Sequence, residues 1–161
     1  MTRRRHVDKY ALCDRAKAAA ERRIREAGFG DLISHTGELY VITYTNDELR
    51  EMKMPTGEWV GQYVAGSLEG APQGLTIAIN IDEHANIDEM IETMLHEAGH
   101  ALWETVTEEG QAEYRTEADA LSGYQWGAEE AFADDTMYRC LGLRQLMRCA
   151  ECFEAITQIV Q

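Results

Sequence analysis

The pattern of hydrophobic and polar positions divides the chain into three stretches. Residues 5–27 alternate charged and apolar positions at helical spacing and are followed by Gly28 and Gly30, which predicts a first helix. Residues 86–160 carry mostly helical patterns, which Gly110, Gly123 and Gly127 interrupt and which end in a helix over residues 144–160. Strand signals lie between these stretches, at residues 38–45, 58–65 and 75–81.

These elements predict an α+β fold: an N-terminal helix, a small antiparallel or mixed sheet, and then a series of C-terminal helices. The chain has 161 residues, of which 45% are hydrophobic, with no internal repeat or low-complexity segment. That length and composition predict a single globular domain over residues 1–161.

The helix predicted after residue 86 has a clear start and a clear apolar face. Asn86 followed by Glu89 has the capping-box form, and acidic residues in the first turn favour the positive end of the helix dipole. Apolar residues then recur every three or four positions, at Ile87, Ile91, Met94, Leu95, Ala98 and Leu102. On a helical wheel His96 and His100 project away from this stripe, so the helix can bury one face and present both histidines to a cleft.

The segment His96-Glu97-Ala98-Gly99-His100 carries the candidate chemistry. Residues four apart on a helix stand about 40° apart around its axis, so two imidazoles at this spacing can reach one metal ion. Zinc bound in this way activates water for hydrolysis, and Glu97 follows the first histidine at a position suited to a general base. His96 and His100 are therefore candidate zinc ligands.

A catalytic zinc site needs a third protein ligand and keeps one position for water. No histidine follows His100, so acidic residues or cysteines must supply that ligand. The glutamates on the following helical segments are Glu113, Glu117, Glu129 and Glu130. The first two lie in a charge-rich segment typical of a solvated helix, whereas the last two border an apolar face and either could point inward.

Residues 75–142 resemble the gluzincin metallopeptidases, in which the two-histidine motif is followed by a glutamate ligand on a second helix. Glu130-Ala-Phe-Ala133 is similar to the glutamate-glycine-phenylalanine-alanine element of gluzincin aminopeptidases. Glu130 with Asp134 also has the glutamate-then-aspartate spacing of thermolysin-like members, where the aspartate orients a ligand histidine. The short chain is most similar to compact gluzincins, including ImmA/IrrE-like metallopeptidases. On this spacing the resemblance favours Glu130 over Glu129 as the third ligand.

The resemblance implies a Zn²⁺-dependent peptidase that acts on a protein or peptide substrate. Because such enzymes bind an extended peptide along a sheet edge beside the motif helix, we expect residues 75–81 to form an edge strand next to the zinc. A second hydrogen-bond donor for the transition state could come from a tyrosine, and Tyr114, Tyr124 and Tyr138 are the candidates. Packing with a satisfied hydroxyl is the more ordinary role for each of them.

The net charge of the chain disfavours anionic partners. The formal net charge of −14 argues against binding to nucleic acid or to an anionic membrane surface. No apolar signal core or membrane-spanning run is recognisable, so we expect a cytoplasmic protein with its four cysteines as thiols. Cys149 and Cys152 have the spacing of metal ligands, but a structural zinc there would also need Cys140 and a distant fourth ligand. If the two cysteines only pack as thiols in the protein interior, no further residue is needed.

Two classes of function follow. The first is a zinc metallopeptidase, most simply an endopeptidase, in which Glu97 is the general base. The alternative is a non-catalytic protein-binding module, in which an acidic surface binds a basic partner and zinc only supports a gluzincin-like scaffold. An acidic mimic of nucleic acid is also compatible with the charge, but it leaves the histidine motif unexplained.

Overall fold

Six helices and a three-stranded sheet make up the part of the chain that the structure describes. The computed structural model describes residues 8–33, 39–53, 61–63, 75–122, 127–143 and 149–157. The helices are α1 (Lys9–Glu26), α2 (Asn46–Glu51), α3 (Ile87–Thr105), α4 (Glu108–Ser122), α5 (Ala128–Leu141) and α6 (Ala150–Thr157). The strands are β1 (Tyr40–Tyr44), β2 (Gly61–Tyr63) and β3 (Thr76–Asn80). The predicted α+β arrangement is therefore confirmed.

The sheet is mixed, with the strand order β1-β3-β2. β1 runs parallel to β3, and β2 runs antiparallel to it. The prediction that residues 75–81 form an edge strand is wrong, because β3 lies at the centre and is paired on both sides. All five residues of β3 are buried, including Thr76 and Asn80. The Asn80 amide donates a hydrogen bond to the Asn46 side chain at 2.8 Å, so this polar side chain is satisfied inside the protein.

Local signals explain most of the helix boundaries. Asp8 caps α1, since its carboxylate accepts hydrogen bonds from two backbone N–H groups of the first turn. The helix ends before Gly28, whose φ of +91° lies in the left-handed region. The short helix α2 was not predicted, and the Thr45 hydroxyl caps it by accepting from the Glu48 N–H.

The C-terminal half differs from the prediction at one glycine. Gly110 was expected to break the helical pattern but lies inside α4, because the Thr107 hydroxyl accepts the Gly110 N–H at 3.1 Å and starts the helix earlier. Gly127, with φ +92°, does precede α5 as expected. Gly123 and the two ends of the predicted helix over residues 144–160 lie outside the described residues, and α6 occupies its middle.

Helix α3 runs through the centre of the molecule, between α1 and the sheet on one side and α5 on the other. The Asn86 side chain caps it by accepting the Glu89 N–H, as the capping box predicted, and Glu89 in turn accepts the Ala85 N–H. Behind the motif an aromatic cluster joins α3 to α4, α5 and α6: Trp103, Tyr114, Phe132 and Phe153. Phe132 is fully buried in it and packs α5 against the other three helices. Within the described ranges, no helix is both long enough and apolar enough to span a membrane.

Candidate metal centre

The two motif histidines lie one turn apart on α3 and face α5. Their ring centroids are 5.1 Å apart and the ring planes are inclined by 73°, so the imidazoles do not stack. Both side chains are mostly buried, with 21% and 16% of the surface of His96 and His100 exposed. Ligand atoms of His96, Glu97 and His100 all lie within 4.8 Å of one another, a separation that a single ion can span.

Glu130 brings a carboxylate from α5 to both imidazoles. One of its oxygens lies 3.0 Å from His96 Nε2 and the other lies 3.1 Å from His100 Nε2. The Nε2 atoms and the carboxylate therefore converge on one point between the two helices. Glu130 therefore contacts both of the histidines with which it was predicted to form the ligand set.

Two further carboxylates lie behind the imidazoles, at the Nδ1 atoms. Asp134 Oδ1 is 2.8 Å from His96 Nδ1, and Glu129 Oε1 is 3.3 Å from His100 Nδ1. A carboxylate accepts a hydrogen bond from Nδ1–H and leaves the Nε2 lone pair for a metal, which is how outer partners orient ligand histidines. The geometry thus separates the two adjacent glutamates: Glu130 faces both Nε2 atoms, whereas Glu129 contacts His100 from behind.

The carboxylates also change the proton affinity of His96. Burial by itself lowers the pKa of His96, but its hydrogen bond to Asp134 and the negative charges of Glu97, Asp134 and Glu130 together raise the pKa above its usual value. A proton on Nε2 and a zinc ion compete for the same lone pair. The negative surroundings that favour the proton also favour a divalent cation.

The donor set fits zinc in kind. Two imidazole nitrogens and one carboxylate form a common ligand set of catalytic zinc sites. Bonds of about 2.1 Å to a tetrahedral zinc place neighbouring ligand atoms about 3.4 Å apart. The observed distances of 3.0 and 3.1 Å join the two different oxygens of Glu130 to the two histidines. Within the described residues, the three ligand atoms that all lie within 4.8 Å of one another belong to His96, Glu97 and His100.

Gly99 explains how α5 comes so close to the histidines. A Cβ added at this position would lie 2.5 Å from Ala133 Cα and 2.9 Å from the Ala133 carbonyl oxygen. Both contacts are to backbone, so neither atom can move away by a change of rotamer. Only a residue without a Cβ allows the two helices to approach this closely. Sequence reasoning missed Gly99 because it occupied one of the variable positions of the motif.

A cleft of about 560 Å³ opens beside the histidines. Glu97, His96 and Glu130 line one side, and Gly61 of β2 lines another. A Cβ at Gly61 would meet the Thr93 side chain at 2.6 Å, so β2 passes very close to α3 and next to the general-base candidate. The cleft also contains three further acidic residues from the start of α3 and the turn before it: Glu83, Glu89 and Glu92.

His84 is a buried residue in the wall of this cleft, and the sequence analysis did not identify it. Its Nδ1 lies 2.7 Å from the Asn80 carbonyl oxygen and its Nε2 lies 2.8 Å from the Thr93 hydroxyl. Burial lowers its pKa, so the neutral ring is the favoured form. With both nitrogens hydrogen-bonded inside the protein, His84 supports the cleft wall and is not part of the candidate ligand set.

The tyrosine candidates differ in position. Tyr114 is fully buried, and its hydroxyl donates a hydrogen bond to Asp135 at 2.6 Å. It therefore has the ordinary role of a packed tyrosine with a satisfied hydroxyl. Tyr138 is partly exposed on α5 and is not among the residues lining the cleft within the described structure. Tyr124 lies outside the described residues. No transition-state donor is therefore assigned to a tyrosine.

Comparison with known proteins gave no match: no protein-family model, no curated protein sequence and no solved structure is significantly similar to this chain.

Proposed function

We propose that this protein is a zinc-dependent metallopeptidase that hydrolyses peptide bonds of a protein substrate in the cytoplasm. One observation carries the proposal. The Glu130 carboxylate, from a separate helix, lies within 3.0 and 3.1 Å of the Nε2 atoms of His96 and His100, with Asp134 behind the first imidazole. This convergence links residues 34 positions apart in the chain, and packing alone does not require it.

His96, His100 and Glu130 would hold the ion. Bound zinc would supply a Lewis acid that activates water and polarises the substrate carbonyl. Glu97 lies in the cleft beside these residues and takes the proton from the attacking water, then delivers it to the leaving amine. Asp134 keeps the His96 ring oriented while this happens.

The sheet suggests where a substrate chain would lie. β2 pairs with β3 on one side, and within the described residues its other side has no strand partner. Gly61 places this strand directly beside Glu97. An extended peptide added to β2 would therefore run along the cleft, in place of the binding mode predicted for residues 75–81.

Acidic residues in the cleft favour a positively charged partner. Glu83, Glu89 and Glu92 add negative charge to the side of the cleft away from α5, and the whole chain carries −14. A substrate segment rich in lysine or arginine would gain the most from this field. The same feature supports the alternative function, in which the cleft binds a basic partner without cleaving it.

Glu97→Gln tests the proposal and separates the two functions. The substitution removes the base but keeps the shape of the side chain, so we expect zinc content near that of the parent and a loss of hydrolysis of at least about a hundredfold. Zinc content is measured by native mass spectrometry of protein purified without added metal. Hydrolysis is measured on casein and on a synthetic peptide library enriched in basic residues.

The matched control is Glu104→Gln, an exposed glutamate two turns further along α3 and outside the cleft. It should keep both zinc and activity. If the parent binds zinc but cleaves neither probe, or if Glu97→Gln cleaves as fast as the parent, the peptidase proposal is wrong. A parent that binds no zinc under any of these conditions excludes the alternative scaffold role as well.

A further inference from the structure

A second cluster of potential metal ligands lies on the far side of α5, between α4 and α6. The cavity there has a volume of about 390 Å³. Four of its lining residues can bind metals, namely Glu113, Glu117, Cys149 and Cys152. None of them belongs to the site described above, and Cys140, which the sequence suggested as a third thiol for this pair, does not line the cavity.

The two thiols are held together at the start of α6. Cys149 is the residue before the helix, its carbonyl oxygen accepts the Phe153 N–H at 2.9 Å, and Cys152 lies in the first turn. Both side chains line the same cavity. The Cys149 backbone N–H donates to the buried Asp135 carboxylate at 3.2 Å, which fixes the position of the pair against α5. Two thiols about one helical turn apart thus open onto this cavity.

The two glutamates face the thiols from α4. Glu113 and Glu117 are four residues apart and therefore share one face of that helix. Both side chains are exposed, and within the described part of the chain neither carboxylate forms a hydrogen bond or an ion pair. They are free to rotate toward the cavity.

The acidic surroundings decide between a redox pair and a metal site. Glu113 and Glu117 line the same cavity as both thiols and bring negative charge to it. Reactive dithiols need a lowered thiol pKa, which positive neighbours normally supply. Here the neighbours are negative, which disfavours a free thiolate and favours a cation that can neutralise both sulfur atoms and both carboxylates.

We propose that Cys149, Cys152, Glu113 and Glu117 form a second cation site that takes a thiophilic divalent ion, Zn²⁺ or its analogue Cd²⁺. Both thiols lose their protons when the ion binds, and those protons pass to solvent. Within the described residues, three ligand atoms within 4.8 Å of one another occur at His96, Glu97 and His100 alone, so the glutamates of the second site move inward on binding. Bound metal would join α4 to the start of α6.

Titration of the full-length, reduced protein with Cd²⁺ tests this site. Cadmium bound to thiolate gives an ultraviolet charge-transfer absorption that histidine and carboxylate ligands do not give, so the assay reports the second site even if the first also binds. We expect the absorption to saturate at one ion per chain, with release of two protons in an unbuffered titration. His96→Ala and His100→Ala should leave it unchanged, which keeps the result independent of the peptidase proposal.

Variants identify the ligands. The paired change Cys149→Ser and Cys152→Ser should abolish the absorption, because it removes both sulfur ligands. The paired change Glu113→Gln and Glu117→Gln should weaken cadmium binding by at least about tenfold. Removal of a residue that only hydrogen-bonds to a metal ligand already lowers metal affinity by about that factor. Both glutamates are exposed, so this second variant should fold normally, as circular dichroism would verify.

The matched controls are Cys140→Ala and Glu109→Gln, a buried thiol and an exposed α4 glutamate that do not line the cavity. Both should bind cadmium like the parent. The proposal is overturned if the absorption persists in the paired serine variant, if it depends on Cys140, or if the paired glutamine variant binds with the affinity of the parent. Absence of any charge-transfer band in the reduced parent also overturns it.

Discussion

Substitution of Gly99 by alanine tests whether the close approach of α3 and α5 creates the metal centre. Carbon atoms in contact normally stay about 3.5–4.0 Å apart. The new Cβ would lie 2.5 Å from Ala133 Cα, 2.9 Å from the Ala133 carbonyl oxygen and 3.0 Å from Thr136 Cβ. Because two of these atoms are backbone, α5 has to move away by about 1 Å or more, and Glu130 moves with it.

The expected loss of stability is small, whereas the expected loss of metal affinity is large. Overpacking of this kind costs about 1–3 kcal/mol. Alanine regains about 1 kcal/mol over glycine inside a helix. The net destabilisation of Gly99→Ala should therefore stay at or below about 2 kcal/mol, a fall in Tm of at most about 8 °C for a domain of this size. Displacement of Glu130 from the imidazoles should lower zinc affinity by about 10–100-fold, the range seen when a metal's supporting contacts are lost.

Zinc affinity is measured by competition with a chromophoric chelator, and stability by thermal unfolding of the metal-free protein. Gly110→Ala is the matched control, because the nearest atoms to its added Cβ belong to the side chains of Val106 and Thr107, which can move. It should bind zinc like the parent. If Gly99→Ala binds zinc within about twofold of the parent, the argument that helix approach creates the site is refuted.

Three further predictions concern polar contacts. Asp134→Asn should lower zinc affinity by about 10–100-fold, measured by the same competition, because it removes the carboxylate that orients His96. Tyr114→Phe should lower the free energy of unfolding by about 1–3 kcal/mol in urea titrations, with zinc affinity unchanged, since it removes the hydroxyl donor of the buried Asp135. Burial lowers the pKa of His84 below its usual value of 6.5. As pH falls, His84 is therefore protonated in the unfolded chain before it is protonated in the folded protein. The stability that neutral His84 contributes is lost as pH falls below 6.5. The free-energy cost of His84→Gln should therefore shrink between pH 7.5 and pH 5.5, and a cost that is constant over this range would contradict the assignment.

Local spacing predicted which side chains of α3 and α5 lie together better than it predicted the order of the strands. The histidines of α3 lie on one face because they are four residues apart, and the same rule places Glu130 and Asp134 on one face of α5. Each helix therefore carries its donors in the right relative positions before the two meet. The contact between the helices is a long-range property, and the glycine that permits it looks in sequence like any other weak helix former.

The order of the strands could not be predicted for a related reason. β3 was expected at an edge because peptidases of the family that the chain resembles bind an extended peptide along a sheet edge beside the motif helix. Its alternating pattern, with Thr76 and Asn80 at polar positions, was equally compatible with a central strand. In the structure both are buried, and Asn80 hydrogen-bonds to Asn46, a residue 34 positions earlier in the chain. A polar residue with a distant partner cannot be told from a solvated one by periodicity alone. His84 escaped attention in the same way, since its two partners satisfy it only in the folded protein.

Binding of the proposed zinc ion would be coupled to the packing of α3 on α5, because His96 and His100 lie on one of these helices and Glu130 on the other. An ion that binds only the folded state at a hundred times its Kd adds about 2.7 kcal/mol to stability, whether or not the protein is an enzyme. Loss of stability on chelation therefore cannot distinguish a peptidase from a zinc-supported binding module. Glu97 can, because it lines the cleft and is not part of the buried hydrophobic core, so its replacement changes the chemistry with little effect on the fold.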